Sequence, residues 1–283
     1  MIGTTLIHRI LKRPFLILNM FLSYAVISHE ALSQPQDAAM VIMGGGSSFQ
    51  GGGGQAIGMR IHPTTNTHQS EMSIAVSPWN NKKVLASANT SNYPVSVLYG
   101  TGYYISTDGG INWTGNDIPP TGNNRGDPAV VIDTLGYFYI GSIAPNYGQG
   151  IMKSTNSGST WQYIQVANPQ VPNDPNVSLD KNHLAVDNST ISSYRGNLYS
   201  GWSDFGFADR RITVARSTDR GQTWVSQQAI SVGLADNMGH QGVNLQAGPD
   251  GRVYACWAVR DRVAPFTERG IGFNVSTNGG ASW

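Results

Sequence analysis

An eight-residue phrase occurs four times in this 283-residue chain and constrains its fold more than any other feature. The pattern is Ser-Thr-Asp/Asn-x-Gly-x-x-Trp, and its copies occupy residues 106–113, 154–161, 217–224 and 276–283. The copies begin roughly 50 to 60 residues apart, a spacing typical of repeat proteins in which each period forms one supersecondary unit. The sequence therefore predicts four copies of one structural unit.

Each phrase has the composition of a tight turn. An Asp or Asn side chain accepts hydrogen bonds from backbone N–H groups just ahead, and the Gly two positions later adopts a positive φ at little cost. The closing Trp is large and apolar, so we expect it to pack between neighbouring units. We interpret these residues as structural, because two copies carry Asn, which cannot act as an acid. They are Asp108, Trp113, Asn156, Trp161, Asp219, Trp224, Asn278 and Trp283.

Strand-forming runs precede each phrase. Two β-rich runs are separated by a polar turn, as residues 243–247 and 253–257 are by the Gly-Pro-Asp-Gly sequence at 248–251. A third run, such as residues 211–215, leads into the phrase. β-branched and aromatic residues dominate these runs, and no helical period persists. The sequence therefore predicts an all-β protein, a β-propeller whose blades each have four strands.

The phrase resembles the Asp-box, or BNR repeat, of the sialidase-like β-propellers, and the resemblance covers roughly residues 66–283. It implies that each box joins the third and fourth strands of a blade, on the face away from the active site. Propellers of that family have six blades, so about four blades imply part of a six-bladed or larger ring. We expect a chain that is incomplete at its C-terminal end; alternatively, an N-terminal segment supplies the last outer strand.

The N-terminal residues predict export. Basic residues precede an apolar stretch at 15–27, and small residues near position 33 offer a cleavage site, so residues 1–33 are predicted to be a secretory signal peptide. The apolar stretch is short for a bilayer span of about 20 residues, so we expect no membrane span in the mature chain. An uncleaved anchor is the alternative. Residues 34–60 form a Gly-rich linker, and 61–283 form the propeller, secreted or at the cell surface.

Composition and residue spacing exclude several classes of function. Charged residues make up 12% of the chain and its net charge is +1, without a basic stripe, so nucleic acid is not an expected partner. The single cysteine, Cys256, rules out an intrachain disulfide and is interpreted as a small buried hydrophobe. His183 and His240 lack metal-ligand spacing, and we expect no metal or other cofactor. The oxygen-rich stretch 174–180 leaves Ca²⁺ as an alternative, although it is unlike an EF-hand loop.

Polar residues just before the first strand of each unit predict a binding mouth opposite the boxes. Carboxylates serve as general acid and base in glycoside hydrolysis, and arginines clamp an anionic sugar bidentately. The candidate acid–base residues are Glu71, Asp127 and Asp180. The candidate substrate-binding residues are Arg60, Arg125, Lys181, Arg210 and Gln241. For each acid, capping of a local backbone turn is the alternative interpretation.

The resemblance to catalytic sialidases is partial. Those enzymes carry an Arg-Ile-Pro motif, an Asp acid/base soon after it, and a late Tyr–Glu pair that acts as the nucleophile. Here residues 60–63 read Arg-Ile-His-Pro, with one residue inserted, and Glu71 is the only acid between Asp37 and Asp108. The Tyr–Glu pair is not found.

Two functions from different classes therefore stay open. The first is a secreted glycoside hydrolase, exo-sialidase-like, that acts on an extracellular glycan or glycoprotein. The second is a non-catalytic propeller that binds glycan or protein at the cell surface; an assembly or sorting receptor is a third. Two carboxyls about 5 to 9 Å apart across an open pocket would favour hydrolysis. Acids that cap the backbone would favour a scaffold.

Overall fold

The computed structural model describes residues 61, 67–92, 95, 97–231, 233–235 and 237–283. The predicted signal peptide and linker, including Arg60, lie outside the described residues. Within them the regular structure is fifteen strands and one short 3₁₀ helix (Pro175–Val177), and the predicted all-β propeller architecture is confirmed. No helix in the described ranges is long and apolar enough to cross a bilayer.

The strands form four consecutive antiparallel sheets, here called blades 1 to 4. Blade 1 contains β1 (Thr67–Val76), β2 (Val84–Asn92), β3 (Leu98–Ser106) and β4 (Thr114–Asn116). Blade 2 contains β5 (Ala129–Ile132), β6 (Phe138–Ile143), β7 (Gln149–Ser154) and β8 (Gln162–Ala167). Blade 3 contains β9 (Leu179–Val186), β10 (Leu198–Asp204), β11 (Ile212–Ser217) and β12 (Val225–Ala229). Blade 4 contains β13 (Met238–Ala247), β14 (Val253–Asp261) and β15 (Glu268–Ser276).

The strands of each blade lie in chain order, and the first strands of successive blades contact one another, β1 with β5, β5 with β9, and β9 with β13. The first strands are therefore innermost, as in a propeller. The four blades do not close a ring. Because first and third strands run in the same direction, the boxes, which follow the third strands, lie at the opposite end of the blades from the start of the first strands.

The core consists of apolar layers between successive blades. Leu85 and Ile105 of blade 1 pack on Phe138 and Ile140 of blade 2. Tyr139 and Ile151 of blade 2 pack in turn on Leu184, Leu198 and Trp202 of blade 3. A third layer joins blade 3 to blade 4. Burying a side chain of this size stabilises the fold by about 1.5 to 3 kcal/mol, so the interfaces between blades hold the stack together.

The boxes build the turns that their sequences predict. In each box the Asp or Asn Oδ1 accepts the N–H of the residue four positions later at 2.9 Å, with the same length for Asp108 and Asn156. The Gly two positions after it has φ between 75° and 92°. Trp161, Trp224 and Trp283 pack on the apolar layer shared with the preceding blade. The box residues therefore form turns and contacts between blades in the structure.

The two outermost sheet faces of the stack carry exposed apolar side chains. Met72 and Ile74 of β1 are exposed, as are Ile271 and Phe273 of β15. Cys256 is paired with Phe273 on the blade 4 face, so it is half-buried rather than fully buried as we expected. Blades 2 and 3 are covered on both faces by their neighbours.

Candidate functional site

Each blade carries a β-bulge at the same place in, or just before, its first strand. Two residues there oppose a single residue of the second strand, as Glu71 and Met72 oppose Ala88. The corresponding pairs are Asp127 with Pro128, Lys181 with Asn182, and Gly242 with Val243. The first residue of each pair has a positive φ, 51° at Glu71, 57° at Asp127, 52° at Lys181 and 67° at Gly242.

The bulge destabilises the backbone in three of the four blades, where its first residue carries a side chain. A residue with a Cβ in the left-handed region is destabilised by about 1 to 2 kcal/mol relative to the right-handed one, and only blade 4 avoids this with a glycine. Bulges re-aim side chains, and strained backbone clusters at functional sites. Glu71, Asp127 and Lys181 are therefore the positions at which to look for function.

The three strained side chains meet. Lys181 Nζ lies 2.6 Å from Glu71 Oε2 and 3.4 Å from Asp127 Oδ1, so one ammonium links three blades. Asn89 of β2 donates from Nδ2 to the same two carboxylate oxygens, at 3.2 and 3.5 Å. Asn89 Oδ1 accepts the Asp127 N–H at 2.6 Å, which fixes the bulge itself. We call Glu71, Asp127, Lys181 and Asn89 the acid cluster.

The protonation of the acid cluster is set by its two carboxyls. A side-chain hydrogen bond with Asp127, then burial, then the charge of Asp127 raise the pKa of Glu71, while Lys181 opposes the shift. Burial lowers the pKa of Lys181, but attraction to Asp127 and Glu71 outweighs it and the net shift is upward. Two adjacent carboxylates resist carrying charge together, which is why the pKa of Glu71 lies above its ordinary value despite the nearby Lys181 ammonium.

Glu71 and Asp127 differ in access to solvent. The Glu71 side chain is 45% exposed, whereas that of Asp127 is 12% exposed. The two carboxyls share two donors, Lys181 Nζ and Asn89 Nδ2, so they are held side by side. Asp127 is thus placed to act on Glu71, and Glu71 is the group that can reach a bound molecule.

Asp180 and Asp127 also cap the backbone. Asp180 Oδ1 accepts the Lys181 N–H at 2.7 Å, and Asp127 Oδ2 accepts the same N–H at 3.2 Å. These bonds are the local caps that the alternative interpretation of the acids predicted. Among the described contacts, Glu71 accepts no backbone N–H, so it differs from both aspartates.

The remaining predicted binding residues do not join the acid cluster. Arg125 stacks on the Tyr147 ring at 3.8 Å and its Nε donates to the Pro145 carbonyl at 2.9 Å, so it holds the neighbouring loop. Gln241 is buried, and the strand register places Gly242, one residue later, at the position that corresponds to Lys181. Arg210 lies over the Phe205 ring at 4.5 Å, in the loop between β10 and β11.

The histidines and the oxygen-rich stretch have structural contacts. Burial lowers the pKa of His183 to about 4, and its Nδ1 accepts the Leu245 N–H at 3.2 Å, so the ring is neutral. His240 Nδ1 accepts the Trp257 indole N–H at 2.8 Å. Asp174 caps the 3₁₀ helix by accepting the Asn176 N–H. The described ranges contain no group of three or more His, Cys, Asp or Glu arranged to hold a metal ion.

A separate cavity of about 480 Å³ opens between the far ends of the first strands. Ala75, Ile132, Ala185 and Ala247 are among its lining residues, and these lie toward the box side of the stack. No acidic or basic side chain lines it. The chemistry-bearing groups lie at the other end, so we place the candidate site at the acid cluster.

Comparison with known proteins bears on the fold. The BNR/Asp-box repeat model matches residues 104–114, which contain the first box. The chain is an Asp-box β-propeller. The Fusarium graminearum GH93 α-L-arabinofuranosidase complexed with arabinobiose superposes with a TM-score of 0.52 at 15% identity. The alignment covers 76% of this chain and 65% of that one.

A second solved structure has a similar fold. The catalytic domain of the Coprinopsis cinerea GH62 α-L-arabinofuranosidase superposes with a TM-score of 0.51 at 12% identity, covering 81% of this chain and 71% of that one. No curated protein matches the chain. At these identities the likeness shows the fold, and this Asp-box propeller spans about two thirds of the length of the GH93 enzyme.

Proposed function

We propose that this Asp-box β-propeller hydrolyses glycosidic bonds, with Glu71 as the general acid. The observation that carries the proposal is a solvent-accessible carboxyl, Glu71, on a strained bulge, which shares Lys181 and Asn89 with a second carboxyl, Asp127. The charge of Asp127 and burial raise the pKa of Glu71. A general acid must be protonated near the working pH, and enzymes achieve this by burial and by a like charge nearby. The propeller fold shared with solved arabinofuranosidases supports the same reaction class.

Each member of the cluster has a distinct role in this mechanism. Glu71 protonates the leaving glycosidic oxygen, and Asp127 raises the pKa of Glu71. Lys181 offsets the negative charge of Asp127, and Asn89 orients both carboxyls through its Nδ2. Asp180, whose Oδ1 is fixed by the Lys181 N–H, is assigned as the second carboxylate that activates water or attacks the anomeric carbon.

The substrate class is the finer part of the proposal. The signal peptide predicted at residues 1–33 supports an extracellular glycan or glycoprotein as substrate. Exo-sialidase chemistry has less support than hydrolysis of other glycosides, because the expected Asp and the Tyr–Glu pair were not found in the sequence. Arabino-oligosaccharides are therefore the first substrates to test, with a sialoside beside them.

The test is hydrolysis of arabino-oligosaccharides, sialyl-lactose and oligogalacturonate by the full chain and by Glu71→Gln. We expect turnover of at least one of them, reduced about 10²- to 10⁴-fold in Glu71→Gln, the usual contribution of a general acid. Asp108→Asn is the matched control, because boxes 2 and 4 already carry Asn there and the site lies at the opposite end. Undiminished turnover in Glu71→Gln would overturn the assignment.

Non-catalytic glycan binding is the second candidate function. The observation that favours it is the capping of the Lys181 N–H by both Asp127 and Asp180, which is what a scaffold requires. A folded protein that retains glycans on an array but releases no sugar from them would support this function over hydrolysis.

A further inference from the structure

Three arginines from two neighbouring blades meet beside Gly239. Arg260 of β14 is paired with Gly239 across the sheet. A Cβ placed on Gly239 would stand 3.1 Å from Arg262 Cγ and 3.5 Å from Arg210 Cδ, so the stems of both other arginines pack there. The absence of a side chain at position 239 leaves room for the stems of Arg210 and Arg262. We call Arg210, Arg260 and Arg262 the arginine cluster.

Each arginine of the cluster is held in place by its surroundings. The guanidinium of Arg210 lies 4.5 Å from the Phe205 ring, and that of Arg260 lies 5.5 Å from the Phe266 ring. Arg262 donates from Nη1 to the carbonyl oxygen of Ala208. Stacked guanidiniums keep their N–H edges available for hydrogen bonds, so the cluster is organised before any ligand arrives.

The cluster has an excess of positive charge. The nearby acids Asp209 and Asp261 pair with other arginines, Arg211 at 3.4 Å and Arg269 at 2.7 Å. Among the described residues, neither Arg210 nor Arg260 takes part in an ion pair. Burial and then repulsion by Arg260 and Arg262 lower the pKa of Arg210. Such an arrangement is stabilised by an anion.

We propose that the arginine cluster is a binding subsite for an oxyanionic group carried by a glycan, either a uronic acid carboxylate or a sulfate ester. Guanidiniums bind such planar or tetrahedral oxyanions through paired N–H···O bonds. Phe205, on which Arg210 stacks, donates its N–H to the Ser178 carbonyl at 3.1 Å, three residues before Lys181, so the subsite lies on the same side of blade 3 as the acid cluster. This inference takes its ligand, a glycan, from the proposed function. It adds that the glycan carries a negative charge.

Calorimetric titration of the full chain measures the subsite without turnover. The probes are trigalacturonate for the carboxylate, a sulfated chondroitin disaccharide for the sulfate ester, and neutral arabinotriose. We expect at least one anionic probe to bind at least tenfold more tightly than arabinotriose, with an affinity that weakens as salt is raised. The tighter anionic probe identifies the group. Equal affinity for all three probes, or no binding of either anionic probe, overturns the proposal.

Variants assign that binding to the cluster. Arg210→Gln and Arg260→Gln should each weaken the anionic probe about tenfold or more, as the loss of one charge-assisted pair predicts. Arg260→Lys keeps the charge but not the fork, so it should bind with an intermediate affinity. Arg252→Gln is the matched control, because this exposed arginine pairs with Asp250 in the turn at the opposite end of blade 4.

The outcomes separate this inference from the proposed hydrolysis. Equal weakening by Arg252→Gln and by the cluster variants would show a general charge effect and overturn the subsite. Thermal denaturation of each variant confirms that it is folded before its affinity is compared. Anion binding without hydrolysis of any glycan would support the subsite and contradict the proposed hydrolysis. Hydrolysis of neutral glycans without anion binding would support the hydrolysis and contradict the subsite.

Discussion

Glu71 combines two features that rarely occur in one residue, a left-handed backbone and a raised side-chain pKa. Its φ of 51° is fixed by the bulge, and Asp127 raises the pKa of its carboxyl. The bulged backbone directs the Glu71 side chain across the mouth, and the neighbouring Asp127 carboxylate raises its pKa. Asn89 and Lys181 hold both acids in that arrangement.

The raised pKa of Glu71 predicts a pH-dependent effect on stability. Its pKa in the folded state lies above its ordinary value of 4.5, so its favourable contribution is complete below that value. The contribution is lost as the pH rises through the raised pKa, because the ionised form is disfavoured in the fold. Glu71→Gln should therefore gain in melting temperature relative to the wild type as the pH rises above about 4.5.

Scanning calorimetry over this range checks the prediction. Glu268→Gln is the control, because Glu268 is an exposed glutamate that lies outside the acid cluster. A melting difference between wild type and Glu71→Gln that is constant with pH, or that shrinks, would contradict the shift at Glu71.

At the scale of strands and turns, the contribution of an ion pair to the free energy of unfolding depends on its burial. Asp133 of blade 2 is fully buried and accepts from Arg220 Nη1 of the third box at 2.7 Å. Tyr139 also donates to Asp133 through its hydroxyl, at 3.1 Å. Removal of the arginine leaves a buried charge without its counter-charge, which is strongly destabilising.

We predict that Arg220→Gln lowers the free energy of unfolding by about 2 to 4 kcal/mol. The matched substitution Arg252→Gln breaks an exposed pair with Asp250 and should cost less than about 1 kcal/mol. Urea denaturation of both variants measures the difference. Equal costs would show that the contact between blades 2 and 3 does not depend on this ion pair.

The elements were largely predictable from sequence, but the site was only partly so. Alternating β-rich runs and the turn chemistry of the boxes predicted the strands and the box turns, because both depend on local residue preferences. The shared register predicted that Glu71, Asp127 and Lys181 face one mouth. The bulges were not predictable, since three of the four place a residue with a side chain at a positive φ, where glycine is expected.

Residues that act across blades left no local signal. Asn89 lies within a strand-forming run, so its contact with both acids depends on the packing of β2 beside the first strands. Arg260 lies near the end of β14 and Arg262 follows that strand, where the sequence predicts only polarity, and the open space at Gly239 lets the stems of Arg262 and Arg210 pack together. The mouth position in blade 4 was assigned to Gln241, but the bulge register places Gly242 there.

At the scale of the whole molecule, the blades differ in how well they are covered. Blades 2 and 3 each pack on two neighbours, whereas Ile74 of β1 and Ile271 of β15 lie on exposed faces. In stacked repeat units stability comes from each unit and from its interfaces with neighbours. Resistance to local opening should therefore be greatest in the middle of the stack.

Amide hydrogen exchange tests this gradient. We predict the slowest exchange in β6, β7, β10 and β11, and exchange at least tenfold faster in β1 and β15. The comparison is made between strands of the middle blades, which pair on both sides, and the first and last strands of the stack. Uniform protection across the four blades would show that the outer faces are covered in solution.

The most direct test of the central claim, that Glu71 donates the proton, compares two leaving groups. The full chain and Glu71→Gln are assayed on arabinotriose, whose leaving sugar needs protonation, and on a dinitrophenyl arabinofuranoside, whose leaving phenolate does not. The account predicts a loss of about 10²- to 10⁴-fold on arabinotriose and a far smaller loss on the aryl glycoside. Equal losses on both substrates, or none on either, would contradict it.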